Sequence, residues 1–164
     1  RGRDGLQVFA ERVAAYADLH RRLDPVFPPW EPSYDMHLID RRRAYLASAI
    51  RRERRDARQG DIFEPSAAAA FRGVITRALA GIDVELWLQD LYEECEVPAG
   101  YRPQMNAGYP HWATHEMPIV LLDALPALPA GIVYRLIGHD LLLWDVDANL
   151  IIDVLPDALP RAGS

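Results

Sequence analysis

The feature that most constrains the fold is the segment 131–155, GIVYRLIGHDLLLWDVDANLIIDVL. It contains three short apolar runs, at residues 132–137, 141–144 and 150–155, which are rich in Val, Ile, Leu, Tyr and Trp. Gly, Asp and Asn residues, which favour tight turns, lie between the runs. Strand-sized apolar runs separated in this way are typical of β-hairpins, and two successive hairpins predict a three-stranded antiparallel meander. Because a small sheet is marginally stable in water, we expect the upstream helices to cover one of its faces.

The chain before the meander predicts about four helices. Apolar residues recur at helical spacing, and residues suited to a helix start precede each segment. The expected helices cover residues 4–23, 34–58, 65–81 and 83–97, begun by Asp4, Ser33, Pro65 and Asp83, and a further short helix is expected at 118–125. Helices followed by strands indicate an α+β fold. We find no repeat and no clear linker, so residues 1–164 are interpreted as one domain with a helical part (4–97), an aromatic and proline-rich loop (98–117) and the meander (131–155).

Composition and charge exclude some classes of protein. The formal net charge of −6 argues against general nucleic-acid binding. No apolar run approaches the length of about 18 residues that predicts a membrane span. A single cysteine, Cys95, excludes a disulfide within the chain. The chain begins at Arg1 without Met, which a cleaved export signal would explain, as would trimming.

Charge is unevenly distributed along the predicted helices. Between residues 41 and 58 there are eight arginines against Glu53 and Asp56, with Asp40 just before them. Between residues 83 and 96 there are six acidic residues and no basic one. The basic helix is suited to gripping phosphates, an anionic membrane or a partner. Alternatively, the opposite charges of the two helices compensate each other within the fold, or their charged faces are exposed to solvent.

The one histidine pair at suggestive spacing is His111 and His115, followed by Glu116. On a helix, this spacing would place both imidazoles on one face, and the carboxylate would complete a zinc site. His37 and His139 are more distant candidates. The metalloprotease pattern is incomplete, because the position of its second histidine holds isoleucine behind a proline, and the surroundings resemble a loop. The alternative is that these histidines form local hydrogen bonds or stack.

Two further patterns indicate a structural role rather than metal binding or catalysis. Asp145, Asp147, Asn149 and Asp153 have the spacing of the opening of a calcium loop, but the glycine and glutamate that such loops need are absent. A hairpin turn explains them better. Cys95 lies between two glutamates, which disfavour a reactive thiolate, and its spacing places it on the apolar face of the fourth predicted helix. We therefore predict a core cysteine, and no coherent catalytic set is evident.

Aromatic residues in two proline-rich loops are candidates for a binding surface. They are Trp30, Tyr34, Tyr101, Tyr109 and Trp112. Such side chains line grooves for sugars or peptides. The alternative is that they fix irregular loops onto the body of the protein.

Two stretches, 57–75 (ARQGDIFEPSAAAAFRGVI) and 125–160 (LPALPAGIVYRLIGHDLLLWDVDANLIIDVLPDALP), together carry a family resemblance over about two-thirds of the chain. They resemble exported bacterial proteins of unknown function, in which a helical front precedes a closing YR…G-x-D-L-x-L-x-D…N-x-I-x-D meander. The resemblance implies export to the periplasm or beyond, and no catalytic residues. The meander alone also resembles the end of periplasmic nickel/cobalt-homeostasis proteins, from which we infer no metal function.

These observations favour a binding or interaction module in the bacterial cell envelope, without a cofactor, whose partner is a protein or an envelope component. The competing hypothesis is a metal-dependent hydrolase or metal-handling protein that uses zinc at His111, His115 and Glu116. A third is a structural subunit whose arginine-rich helix meets an acidic neighbour.

Overall fold

The computed structural model describes residues 4–24, 36–93, 95 and 97–162. Within this part of the chain, five helices come first: α1 Gly5–Leu23, α2 Met36–Glu53, α3 Pro65–Ala78, α4 Val84–Leu91 and the short α5 Ile119–Leu122. The described strands β1 Ile132–Ile137, β2 Asp140–Asp145 and β3 Leu150–Leu155 follow as an antiparallel sheet in the order β1-β2-β3. The predicted α+β class and C-terminal meander are confirmed. No helix in the described ranges is both long and apolar enough to cross a membrane.

Local capping explains where three helices begin. Asp4 accepts a hydrogen bond from the amide of Leu6 at the start of α1, and Asp83 accepts one from Leu86 at the start of α4, each over 3.2 Å. Pro65 occupies the first turn of α3, where its missing N–H costs no hydrogen bond. These three predicted starts are confirmed. Ser33, the expected cap of α2, lies outside the described residues.

The predicted helix ends are wrong where tertiary contacts or charge intervene. α2 ends at Glu53 rather than residue 58. Beyond it the Arg54 side chain donates to Ile152, and the amides of the link at residues 60, 62 and 63 donate to Asp153 on β3. α4 ends at Leu91 rather than residue 97. Its C-terminal end is followed by several acidic residues and no basic one, which is unfavourable next to the negative end of a helix dipole. α3 ends at Ala78, short of Gly81, and α5 is shorter than expected.

The sheet has the turns that the sequence predicts. Ile137 pairs with Asp140, so a two-residue turn containing Gly138, with φ of 60°, joins β1 to β2. Asn149, with φ of 52°, ends the turn between β2 and β3. A register shift between Leu143 and Trp144 marks a bulge in the second pairing. The bulge changes the alternation along β3, and all six of its residues are buried.

The inner face of the sheet packs against the helices. An aromatic cluster joins α1, α3 and β1 there: the rings of Phe9 and Phe71 lie 4.5 Å apart, and Tyr134 stacks near Phe9 at 6.4 Å. Phe63, in the link between α2 and α3, completes the cluster. The expectation that helices cover one face of the meander is confirmed.

The outer face is also covered, which the sequence does not indicate. Ile137, Leu142, Ile151 and Val154 form a second apolar cluster under the loop 97–117. The loop is tied to the edge of β3, because the amide of Asn106 donates to Ile151 and the amide of Ile151 donates to the carbonyl of Ala107, both over 2.8 Å. The sheet is therefore the middle layer between the helices and this loop.

Two arginines of α2 and the arginine that follows the helix have partners within the fold. Arg42 makes two hydrogen bonds to Asp24, and Arg51 donates to the carbonyl of Asn106. Arg54 donates to the carbonyl of Ile152 over 2.8 Å. These contacts connect the basic helix to α1, to the loop and to β3, so part of its charge has a structural role.

Candidate functional site

A cavity of about 500 Å³ opens where the loop 97–117 meets the outer face of the sheet. We call it the sheet-face cavity. The residues that line it and carry polar or aromatic chemistry are Arg43, Tyr109, His111, Thr114, His115, Glu116, Arg135, Trp144 and Asn149. They come from α2, the loop, β1, β2 and the turn after β2. The cavity therefore depends on the tertiary fold.

The aromatic wall of the cavity is held rigidly. The rings of Tyr109 and Trp144 stack with centroids 4.4 Å apart. Asn149 joins both residues, since its side-chain oxygen accepts from the indole N–H of Trp144 at 3.1 Å and from the amide of Tyr109 at 3.3 Å. Asn149 is placed for this by its left-handed backbone, which asparagine tolerates better than most residues. The wall offers a preformed aromatic surface.

The charge of the lining is positive although the protein is acidic. Arg135 lies over the ring of Trp144, with its guanidinium carbon 5.4 Å from the ring centroid, and donates to its neighbouring carbonyl on Tyr134. Arg43 approaches from α2 and is exposed. Glu116 is the carboxylate of the lining, so two guanidinium groups face one acid. A positive cavity in a chain of net charge −6 favours an anionic group.

The structure brings His111, His115 and Glu116 to the same cavity, but not on a helix. The Nε2 atom of His115 lies 2.7 Å from the carbonyl oxygen of Leu136 and is engaged there. His111 and Glu116 are exposed. Among the described residues, no group of three or more His, Cys, Asp and Glu side chains is placed to hold a metal ion. Zinc at His111, His115 and Glu116 therefore stays a prediction.

The aromatic candidates have different positions. Tyr109 lines the cavity, whereas Tyr101 and Trp112 pack edge to face at 4.9 Å over the outer apolar cluster. Trp30 and Tyr34 lie outside the described residues. The loop aromatics thus cover the sheet, as the alternative interpretation expects, and Tyr109 also contributes to the cavity.

Cys95 is not on a helix, because α4 ends four residues earlier. The prediction that it lies on the apolar helix face is therefore wrong, and the side chain is half-buried rather than in the core. Its Sγ lies 3.5 Å from the hydroxyl oxygen of Thr114 and 4.0 Å from Nδ1 of His115. The sequence separation of about 20 residues gives no local signal for this proximity.

The acidic residues that resemble a calcium loop are used within the fold. Buried Asp145 accepts from Tyr16, lies 2.6 Å from Nδ1 of His20 and accepts from the amide of Ala148. Buried Asp153 accepts instead from backbone amides between α2 and α3. Because these two carboxylates serve different contacts, the hairpin interpretation of the spacing is the one the structure supports.

Comparisons of the chain with protein-family models, with curated proteins and with solved structures found no match. The resemblance to exported bacterial proteins therefore stays a prediction, and the site has to be interpreted from its own chemistry.

Three residues of the cavity belong to none of the motifs in the sequence: Arg43, Arg135 and Trp144. The sequence does contain an indication for Arg135, since this charged residue interrupts the apolar run of β1 between buried Tyr134 and Leu136. Such a residue must point to the opposite face of the sheet. Arg43, one of eight arginines in its region, is not distinguished by any local pattern.

Proposed function

We propose that the protein acts by binding, and that the sheet-face cavity takes a carboxylate or phosphate group of a protein partner or cell-envelope component. The observation that carries this proposal is the position of Arg135 over Trp144, which places a guanidinium beside a rigid aromatic wall. Arginine presents paired N–H donors that match the oxygens of these anions. A volume of about 500 Å³ also falls within the range of small-ligand sites.

Several contacts support a preformed site. Trp144 is fixed by its stacking on Tyr109 and its hydrogen bond to Asn149, and Arg135 by its carbonyl contact. A ligand would therefore lose little affinity to ordering of these side chains. Arg43, which is exposed on α2, adds a second positive charge without an opposing desolvation cost.

The test compares two probes that differ in charge and hardly in shape: benzoate and benzamide. Binding is followed by NMR through the indole N–H of Trp144. Benzoate should shift this signal at millimolar concentration, and benzamide should bind at least about tenfold more weakly, a difference of about 1.4 kcal/mol. Phenyl phosphate, run in parallel, shows whether phosphate is preferred to carboxylate.

Matched variants localise the effect. Arg43→Gln and Arg135→Gln should each weaken benzoate binding several-fold, whereas Arg52→Gln, an exposed arginine on the same helix as Arg43, should leave it unchanged. Equal binding of benzoate and benzamide, or no response of Trp144 up to about 10 mM of either anion, would contradict the proposal.

The location in the cell envelope rests on the resemblance given above. Fractionation of the producing bacterium, followed by detection with an antibody, is the direct test. Recovery of the protein only with cytoplasmic markers would refute the envelope assignment and would leave the proposed cavity chemistry to its own experiment.

A further inference from the structure

The tautomer of His115 follows from its backbone contact. Nε2 lies 2.7 Å from the carbonyl oxygen of Leu136, and a carbonyl oxygen can only accept a hydrogen bond. Nε2 therefore carries the proton, and in the neutral ring Nδ1 carries a lone pair. The edge contact with Tyr92, at 4.6 Å between ring centroids, further fixes the ring. The orientation of the His115 imidazole is thus set by Leu136 and Tyr92.

The Nδ1 lone pair of His115 lies near the thiol of Cys95. Nδ1 of His115 lies 4.0 Å from Sγ of Cys95, and the hydroxyl of Thr114 lies 3.5 Å from the same sulfur. Thr114 and His115 also line the sheet-face cavity. An activated nucleophile needs a thiol, a base close to it and a group that orients the base. The distance between the thiol and the base is often long before a ligand binds.

The surroundings keep the imidazole neutral and able to accept a proton. Burial lowers the pKa of His115, the Leu136 carbonyl opposes this, and Arg135 lowers it further. Among the described residues, Arg43, Tyr109 and Glu116 line the cavity together with His115, and Tyr92 packs against its ring. The sequence neighbours Glu94 and Glu96 disfavour a standing thiolate, so removal of the thiol proton needs a base at hand.

Tyr109, in the aromatic wall of the cavity, has a buried hydroxyl. The side-chain oxygen of Tyr109 is inaccessible to water and has no hydrogen-bond partner among the described residues. Burial is the main cause that raises the pKa of this phenol to about 12. A protonated phenol is a donor for an oxygen that becomes negative during reaction.

We infer that Cys95 is a nucleophilic thiol, with His115 as its proton acceptor, and that it reacts with activated acyl groups presented from the sheet-face cavity. The sulfur forms a bond to the carbonyl carbon, and its proton passes to Nδ1 of His115. The bond from that carbon to the leaving oxygen or sulfur then breaks, and the proton on His115 passes to the leaving group. The product is an acylated Cys95. This goes beyond the binding proposed above and does not require it.

The test uses p-nitrophenyl acetate as the acyl probe. Cys95 is the single cysteine and the chain has no lysine, so mass spectrometry can assign a stable acetyl adduct directly. At pH 7 the folded protein should acetylate on Cys95 at least about tenfold faster than the same chain unfolded in urea, with stoichiometric release of nitrophenolate. His115→Gln should remove this advantage, and Arg52→Gln, an exposed substitution on α2 outside the cavity, should leave it intact.

The wild-type protein alone also decides the question if a variant fails to fold. The acetylation rate should stay high well below the ordinary thiol pKa of about 8.5 and fall only as His115 becomes protonated, below about pH 6.5. A rate no faster than that of the unfolded chain, or one that follows a single ionisation near 8.5, would overturn the inference. Cys95→Ser should lose the adduct and still bind benzoate, which separates this inference from the proposed function.

Discussion

Nδ1 of His20 lies 2.6 Å from Oδ2 of Asp145, so the last turn of α1 is joined to the end of β2 across 125 residues of sequence. The same carboxylate oxygen accepts from the hydroxyl of Tyr16, also over 2.6 Å, and Oδ1 accepts from the amide of Ala148. Asp145 has no exposure to solvent. Three elements therefore depend on one buried charge that is fully hydrogen-bonded.

Replacement of Asp145 should destabilise the protein strongly. Asp145→Asn keeps the shape of the side chain but removes the charge and one acceptor, so we expect the free energy of unfolding to fall by about 2–3 kcal/mol. Urea denaturation gives the value. Asp147→Asn is the matched control, because the Asp147 side chain is 60% exposed, and it should change stability by less than about 0.5 kcal/mol. Equal effects of the two substitutions would contradict this account.

The His20–Asp145 pair should make stability depend on pH in a defined direction. The hydrogen bond to Asp145 raises the pKa of His20, although burial opposes it. Stability from protonated His20 is therefore complete below the unfolded pKa of about 6.5 and is lost as pH rises through the raised folded pKa. Urea midpoints measured from pH 6 to 9 should fall for the wild type, and this slope should be flatter in His20→Gln.

At acidic pH, Asp145 should make stability depend on pH in the opposite direction. Burial acts to raise the pKa of Asp145, but the hydrogen bonds from His20 and Tyr16 outweigh it and hold the pKa below the usual value. This stabilisation is present above the unfolded pKa of about 3.9 and is lost as pH falls through the lowered folded value. Asp145→Asn should therefore also reduce the pH dependence of the urea midpoint below about pH 4.

Asp153 should be as sensitive as Asp145 for a different reason. Oδ1 accepts from the amides of Gly60 and Val154, each over 2.8 Å. Oδ2 accepts from Ile62 and Phe63 over 2.8 and 2.7 Å. Asp153→Asn would turn an amide NH₂ group towards two N–H donors, which leaves buried groups unsatisfied. A loss of about 2–3 kcal/mol in unfolding free energy is expected, measured by urea denaturation. Asp61→Asn, in the same link but exposed, is the comparison, and a similarly small loss for both would contradict this role.

Two helical glycines should respond to alanine in opposite directions. A Cβ on Gly5 would lie 2.2 Å from the carbonyl oxygen of Ser66, so α1 and α3 would have to separate. Gly5→Ala should cost about 1–3 kcal/mol. A Cβ on Gly73 would meet only the tip of the Arg77 side chain at 3.5 Å, so Gly73→Ala should stabilise α3 by about 0.5–1 kcal/mol. Thermal melts of both variants test the pair, and a stable Gly5→Ala protein would show that the close approach is not required.

The sequence by itself determined the elements whose signals are local. The three strands are nearly those predicted. Their signal is a short apolar run bounded by turn residues such as Gly138 and Asn149, and this pattern depends only on neighbours along the chain. The starts of α1, α3 and α4 follow from one capping or proline residue each. The helix ends were predicted less well. α2 ends at Glu53, and just beyond it the Arg54 side chain donates to β3, a contact that no local pattern indicates.

Only the tertiary structure decided where the chemistry lies. His111, His115 and Glu116 were found by their spacing, but their neighbours Arg43, Arg135 and Trp144 come from elements distant in sequence. The position of Cys95 differs from the predicted one for the same reason, since its contact with His115 depends on how the loop crosses the outer face of the sheet. Periodicity reports which face of an element is apolar, whereas the groups that meet across a cavity are set by packing between elements. That packing places a charged and aromatic cavity on one side of the sheet and the buried carboxylates on the other.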